Sequence, residues 1–462
     1  MYFLVVATAT AAMAMSTALA VDPRDFEADL NLPGFHFVPY PFDWQNDPNG
    51  PLYDPVHDKY HLFYQYQTPR LWGHAVSDDL VSWVQMPVAI TTDQWYDQGG
   101  VFSGSGTVLD DEEQSVILTI SSSDNTEIFV ATPKDRSDPF LTEWELPDSN
   151  PIYTTSARDP TEIMKTSDGR YRIADGTADG TAIWECMGCE TAEDIISGGK
   201  WEEIGMYQTK PDGQGYWECP DTFPLLGENA IDGTWVSKFS MSGDRYYLGT
   251  YNETSGEFSP YDLEDRTYDS NSKFYASKTF LDTRDEPRRV LWGWLVCGNP
   301  GESEWTGLQS APRVVEAAAD GKSIVMAPIP ELKTLRSDDD KAYYENLSGN
   351  GDDVKELDFS GRMFDVEATI GGDGASQSCG FRVLWDGADE FTDVSIPEGT
   401  KSVRMLVDSS VIELFADGVA TTTFGLRTKA ESVKFGLLGD CVFEGIDAWA
   451  MSPYEYDASN VL

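Results

Sequence analysis

Three acidic residues stand in proline-bounded motifs that could do chemistry. Asp47 lies in Trp44-Gln45-Asn46-Asp47-Pro48-Asn49-Gly50, Asp159 in Arg158-Asp159-Pro160, and Glu218 in Trp217-Glu218-Cys219-Pro220. Proline fixes its own φ and restricts the residue before it, so each carboxylate is expected in a rigid turn or at a strand end. Separate carboxylates on rigid elements, with aromatic walls nearby, suit cleavage of a glycosidic bond. Taken singly, Asp-Pro-Asn-Gly is also a good reverse turn and Arg-Asp-Pro is ordinary; the three together point to a site. All four histidines (His36, His57, His61, His74) fall in the first 80 residues, so acid–base work further along must fall to carboxylates. Cys186-Met187-Gly188-Cys189 has zinc-like spacing but no second Cys or His pair, which favours a local disulfide or free thiols over a metal. Ser103-Gly104-Ser105-Gly106 is not followed by the Lys-Ser/Thr of a phosphate loop, and no dinucleotide fingerprint appears. The expected chemistry needs no cofactor and no metal.

The chain has 462 residues, long enough for two domains with substantial cores. Its 32 basic and 79 acidic residues give a net charge of −47. That excludes a nucleic-acid phosphate binder and argues against docking on anionic membranes. The acidity reads as a hydrated, self-repelling surface. Most of the 14 Trp, 21 Tyr and 22 Phe belong in the core, though aromatic faces also hold sugar rings. Residues 2–20 are apolar or small, and Ala18-Leu19-Ala20 before Val21-Asp22-Pro23 reads as a signal-peptidase site, so 1–20 is expected to be a signal peptide. An uncleaved anchor is the alternative. No later run has the ~20 apolar residues of a membrane span. The protein is thus expected in the secretory pathway: extracellular, cell-wall or vacuole-like. There Cys379 and Cys441 could pair, and Asn252 and Asn346 head glycosylation sequons.

The elements that must position the acids read as strands. Long helical periodicity is scarce, and short alternating or apolar runs dominate, such as Tyr60–Tyr66, Ser115–Ile120 and Arg245–Tyr251, separated by Gly, Asp, Asn and Pro turns. A weak repeat supports a propeller. Ser77-Asp78-Asp79-Leu80-Val81-Ser82-Trp83 is echoed by Ser137 to Trp144, and more loosely by Glu193 to Trp201. Steps of about sixty residues suit one four-stranded blade each. Five such units fill residues 34–325. A connector over 326–340 contains the short helical turn of Pro328 to Arg336. A second set of strands, among them Phe381–Trp385, Ser402–Val407, Val411–Phe415 and Ser432–Leu437, suits a β-sandwich over 341–456.

These motifs, in this order, resemble glycoside hydrolase family 32, the invertases and related β-fructofuranosidases and fructan hydrolases. Trp44 to Gly50 is similar to the family's nucleophile box, with Gln45 where Met is usual. Phe63-Tyr64-Gln65-Tyr66 fits its next strand, followed by Gln67 instead of Asn. Trp72 to Trp83, Phe102-Ser103-Gly104-Ser105, Arg158-Asp159-Pro160, Trp217 to Asp221, Phe274 to Phe280, Gln309 to Arg313 and Val407 to Phe415 also fit. The resemblance runs nearly end to end after the leader. It implies an all-β fold, a five-bladed β-propeller followed by a C-terminal β-sandwich.

The resemblance also implies retaining chemistry at the anomeric carbon of a terminal fructose, with sucrose and fructans as substrates. Asp47 would be the nucleophile, Glu218 the acid–base and Asp159 the clamp on the fructose hydroxyls in an oxocarbenium-like transition state. Arg158 would hold Asp159 and Glu218. Burial beside Trp217 and the charge of Asp47 would favour a protonated Glu218. Asn46, Gln65 and Ser103 are expected on fructose hydroxyls and Trp72, Phe102 and Trp305 as apolar walls, with Trp44 also at the substrate. Asn271 replaces the Gly of a family turn, where its tolerance of left-handed backbone would preserve the turn. Phe239 to Arg245 is shorter than the comparable loop of plant acid invertases, which leaves sucrose against longer fructans open. Fructan exohydrolysis and fructosyltransfer use the same carboxylates; Trp44 and Asn46 favour water as acceptor. A fructan-binding protein without catalysis is the alternative from another class.

Overall fold

The computed structural model describes residues 32–40, 44–67, 70–111, 114–123, 127–297, 305–349, 351–376, 378–385, 391–424 and 432–460. The leader expected over 1–20 lies outside them. The chain is nearly all β, a five-bladed propeller followed by a β-sandwich. Each blade begins with a strand at the propeller axis: Gln45–Pro48, Val101–Asp111, Met164–Lys165, Glu218–Pro224 and Phe274–Asp282. Antiparallel partners then step outward from it.

The sequence echo marks the same corner in three blades. In blade I, Ser77 Oγ accepts from Leu80 N (2.8 Å) and Asp79 Oδ1 from Val81 N (2.9 Å), turning the chain into the strand Trp83–Ile90. In blade II, Asp138 accepts from Phe140 N (3.0 Å) and Thr142 N (2.9 Å) ahead of Trp144. In blade III the turn is a five-residue helix, Ala192–Ile196, with a capping box between Thr191 and Asp194, and Trp201 follows. Polar side chains replace ladder partners for the turn amides, and the Trp after each turn is buried between layers.

Strand pairing shortens the expected connector. Ile324–Pro328 pairs with Arg313–Ala317 as the outer strand of blade V, and the first sandwich strand starts at Arg336. Only the 3₁₀ turn Pro330–Leu335 lies between them. The sandwich stacks a six-stranded sheet on a four-stranded one. Period-two residues Phe364, Val366, Ala368 and Ile370 face Phe381, Val383, Phe435 and Leu437 in its core, with Phe364 and Phe435 stacked at 5.6 Å. Cys379–Cys441 and Cys186–Cys189 are disulfides. Asn252 and Asn346 are exposed. Asn271 is not left-handed as expected. Its Oδ1 accepts from Lys273 N (3.0 Å) and its Nδ2 donates to Thr422 O (2.7 Å), so it ties the turn to the sandwich.

A fully buried ion network joins the two parts. His36, from the segment before blade I, pairs through Nδ1 with Asp408 (2.8 Å) and through Nε2 with Glu413 (3.2 Å). Arg313 of blade V bridges Glu413 (2.6 Å) and Asp269 (3.1 Å). Asp408 also accepts from the amides of Gly34, Phe35 and His36. Burial alone would lower the His36 pKa, but the hydrogen bonds and charges of Asp408 and Glu413 outweigh it and raise the value from 6.5 to about 9. A raised histidine pKa contributes stability that is complete below pH 6.5 and lost as pH rises through 9. Urea unfolding across this window is expected to show a decline on the order of 3 kcal/mol from this group. A His36→Gln variant should be less stable at pH 6 and show a shallower decline; equal slopes for both proteins would remove His36 as the cause.

Candidate active site

Asp47, Asp159 and Glu218 come from blades I, III and IV and meet at one end of the axis. The strand bearing Asp47 is irregular between Gln45 and Pro48, and the strand starting at Glu218 is irregular between Glu218 and Asp221. Such bulges re-aim a side chain that a regular pleat would send elsewhere. Asp159 and Cys219, each before a proline, have φ of 62° and 46°, outside the extended region that a residue before proline ordinarily adopts. Neighbouring blades hold them there. Arg158 exchanges backbone hydrogen bonds with Gly176 (3.0 and 2.8 Å), and Cys219 N donates to Asp159 Oδ2 at 3.0 Å. Gly176 permits the approach, because a Cβ there would lie 2.2 Å from Trp217 O.

Cys219 Sγ donates towards Asp47 Oδ2 at 3.5 Å and lies 3.7 Å from Asp159 Oδ2. Its chain neighbour Glu218 takes hydrogen bonds from Arg158 Nη2 and, at 2.5 Å, from Tyr275 Oη. Arg158 Nε is 3.6 Å from Asp159, and its guanidinium lies over the Tyr216 ring at 4.4 Å. Ser103 Oγ donates to Asp47 Oδ2 and accepts from Gln65 Nε2 at 2.9 Å. The side-chain oxygens of Asn46 and Gln65 are buried without a hydrogen-bond partner among the described residues. Asp47 and Asp159 are 8% and 4% exposed, whereas the side chains of Arg158 and Glu218 are about a third exposed. The arrangement is a pit with acids at its floor and a more open carboxyl at its side.

Several expected walls lie elsewhere. Trp72 is fully buried with its Nε1 on Phe102 O (2.9 Å), and Trp305 is 1% exposed in the propeller core. Trp217 is fully buried and stacks on Phe239 at 3.7 Å, and the Glu218 carboxyl takes its hydrogen bonds from Arg158 and Tyr275. Trp44 and Phe102, by contrast, are half-buried. Burial pushes Asp47 up to about 6; the Ser103 hydrogen bond opposes that, and the Asp159 charge adds to it. Burial also raises Asp159, restrained by the Cys219 amide and the charges of Arg158 and Lys278.

Sequence reasoning missed Tyr275 and two buried lysines beneath the pit. Lys278 Nζ donates to Pro160 O (3.2 Å) and Pro220 O (2.8 Å). Lys238 Nζ donates to Cys219 O (3.1 Å) and Ser277 O (2.6 Å) and pairs with Asp244 at 3.2 Å. Three of the carbonyls they hold, those of Pro160, Cys219 and Pro220, lie within two residues of Asp159 or Glu218 in the chain. A lysine in the strand Thr234–Ser240 reads as solvent-facing, and nothing local in the sequence signals that it is buried.

Residues 36–328 match the family model of the glycosyl hydrolases family 32 N-terminal domain. The chain is 36% identical over 354 residues to an acid beta-fructofuranosidase of Vicia faba, covering 68% of this chain and 52% of the relative. It is 33% identical over 379 residues to a fructan 6-exohydrolase of Beta vulgaris, covering 73% of this chain and 60% of the relative. The matches thus span little more than half the length of these curated relatives. Among solved structures, fructan 1-exohydrolase IIa of Cichorium intybus superposes with a TM-score of 0.77 at 25% identity, covering 93% of this chain and 99% of that one.

Replacing Lys278 by Met keeps the apolar stem but strips the Pro220 carbonyl of this donor, whereas Pro160 O keeps Ser105 Oγ at 2.8 Å. The expected loss is about 1–3 kcal/mol in urea unfolding. An unchanged midpoint would show that the Pro220 carbonyl finds another partner.

Proposed function

The chain belongs to glycosyl hydrolase family 32, and from that membership we propose that it is a retaining β-fructofuranosidase. Its substrates are sucrose and short fructans, cleaved at the terminal non-reducing fructose. The observation that carries the reading is the convergence of three carboxylates: Cys219, adjacent to Glu218, touches both Asp47 and Asp159.

In this mechanism an Asp47 oxygen attacks the anomeric carbon of the fructose while the bond to the leaving oxygen breaks. Glu218 gives its proton to that oxygen, so a neutral alcohol departs and a fructosyl ester remains on Asp47. Glu218, now ionised, takes a proton from water as the water oxygen attacks the same carbon and the ester bond breaks. One residue can serve both halves only when the two carboxyls stand ~5–5.5 Å apart, as in retaining enzymes. Tyr275 and Arg158 hold Glu218 for both transfers. The unpartnered oxygens of Asn46 and Gln65 accept from fructose hydroxyls, and buried Asp159 grips others as positive charge develops on the ring.

An exo-acting fructan hydrolase is the second reading. It is supported by the tight turn Met241–Gly243, where Ser242 and Gly243 have φ of 54° and 106° and leave no long loop over the Glu218 side. Rates on sucrose, raffinose, inulin and levan separate the two. For the cell, the two disulfides and exposed sequons support a secretory route, and the intact mass of the secreted chain would check cleavage after Ala20.

Asp47→Ala and Glu218→Gln should each lower kcat on sucrose by about 10³-fold or more with the fold retained. Background-level release of reducing sugar from wild type and Asp47→Ala alike would sink the enzyme reading. Asp47 must be ionised to attack, so kcat/KM should fall as pH drops through about 6. Ser103→Ala removes a hydrogen bond that stabilises the carboxylate and should move that acid limb to higher pH; a limb that stays in place or moves down refutes the assignment.

A further inference from the structure

Arg70 stands at the rim of the pit. Its guanidinium lies 4.5 Å over the Phe102 ring and 5.8 Å over the Trp44 ring. Both rings belong to the strands that build the floor: Phe102 precedes Ser103, the donor to Asp47, and Trp44 stands three residues before Asp47. The backbone fixes the stem of Arg70, since Val101 N donates to Arg70 O at 2.8 Å. Gly100 packs close between the two: a Cβ on it would lie 3.4 Å from both Arg70 Cβ and Phe102 Cε1. Exposure rises along this path, from 2% at Ser103 and 8% at Asp47 to the half-buried Phe102, Trp44 and Arg70. Arg70 and the two rings beneath it are thus more exposed than the residues of the floor.

Among the described residues its charge is not spent on a carboxylate. No ion pair to Arg70 is found among the described residues of a chain with net charge −47, whereas Arg158 across the pit is held by Glu218 and Asp159. A guanidinium lying on aromatic faces uses its own flat faces for that contact. Its N–H donors stay in the plane, at the edges, in a rigid fork that fits adjacent oxygens. Hydroxyls on neighbouring carbons of a sugar ring present such oxygens.

We propose that Arg70 is a specificity-determining residue that hydrogen-bonds the hydroxyls of the departing sugar, on a platform made by Phe102 and Trp44. The proposal rests on the fructosidase reading above and adds the recognition of what leaves. The fructose itself fills the buried floor among Asn46, Gln65, Ser103 and Asp159. A guanidinium at the rim therefore meets the part of the substrate beyond the scissile oxygen. It contributes to substrates that carry a second sugar and nothing to those that do not.

The test compares sucrose with methyl β-D-fructofuranoside, whose leaving group is methanol, for wild type, Arg70→Met and Arg70→Lys. Arg70→Met keeps an apolar stem on the rings and removes the donors. It should lower kcat/KM on sucrose about 10-fold or more, mainly through KM, and leave the methyl glycoside within about 2-fold. Arg70→Lys should recover part of the sucrose loss. Equal losses on both substrates would overturn the proposal, because they mean that Arg70 only supports the rings. No change on either would overturn it as well, as a solvated cation predicts. Retained turnover of the methyl glycoside certifies a folded site in each variant. Failure of wild type on both substrates would instead refute the fructosidase reading, and the Arg70 role with it.

Discussion

Two buried ammonium groups hold the centre of the propeller. Strands at the axis bulge where they carry the acids, and a bulge withdraws carbonyls from the ladder that would have satisfied them. A buried carbonyl without a donor costs about 1–3 kcal/mol, and here the carbonyls of Pro160, Cys219, Pro220 and Ser277 gather around two side chains. Lys238 and Lys278 satisfy them across blades III, IV and V. Burial lowers the Lys278 pKa, and the charges of Asp221 and Asp159 oppose the shift. The acids of the pit and the cations beneath it thus offset one another. This is how a site so rich in carboxylates can be built at the axis of a chain already strongly negative.

The same physics recurs at the junction with the sandwich. His36, Asp408, Glu413, Arg313 and Asp269 are buried together, each facing an opposite charge. Such networks add little net stability over apolar packing, but losing one member strands the others. Their effect is to fix geometry. Glu413 touches Arg313 and the amide of Ala311, and Asp269 binds Thr422 of the sandwich, so the second domain sets the position of blade V. Blade V carries Tyr275 and Lys278 to the pit. The sandwich therefore acts on the site as a buttress, two contacts away from Glu218.

What the sequence revealed was local. Proline turns and period-two runs are decided within a few residues, so the acids, the strands and the blade corners ending in Trp83, Trp144 and Trp201 could be read directly. The fold followed because those units repeat in order. What could not be read depends on which face of a strand looks inward once five strands converge. Trp72 and Trp305 look like open walls in the chain but point into layers, and Trp217 is buried against Phe239. Lys238 and Lys278 carry the opposite lesson: side chains that ordinarily seek water are sealed at the axis, because their partners are backbone atoms from distant blades. Asn271 was read as a backbone device and proved to be a side-chain tie. Nothing in the short run around Tyr456 announces that it forms a strand with a partner more than 370 residues earlier.

That terminal strand, Tyr456–Asp457, runs parallel to Trp83–Ile90 and covers the outer edge of blade I. Tyr456 Oη also reaches Tyr40 N at 2.9 Å, and Tyr454 N donates to Gly34 O at 3.0 Å. The first blade to emerge from the ribosome is therefore finished last. While the sandwich is still being synthesised, blade I has an open edge, the kind of surface that recruits other strands. The outer edge of blade I stays open until residues beyond the sandwich have been made.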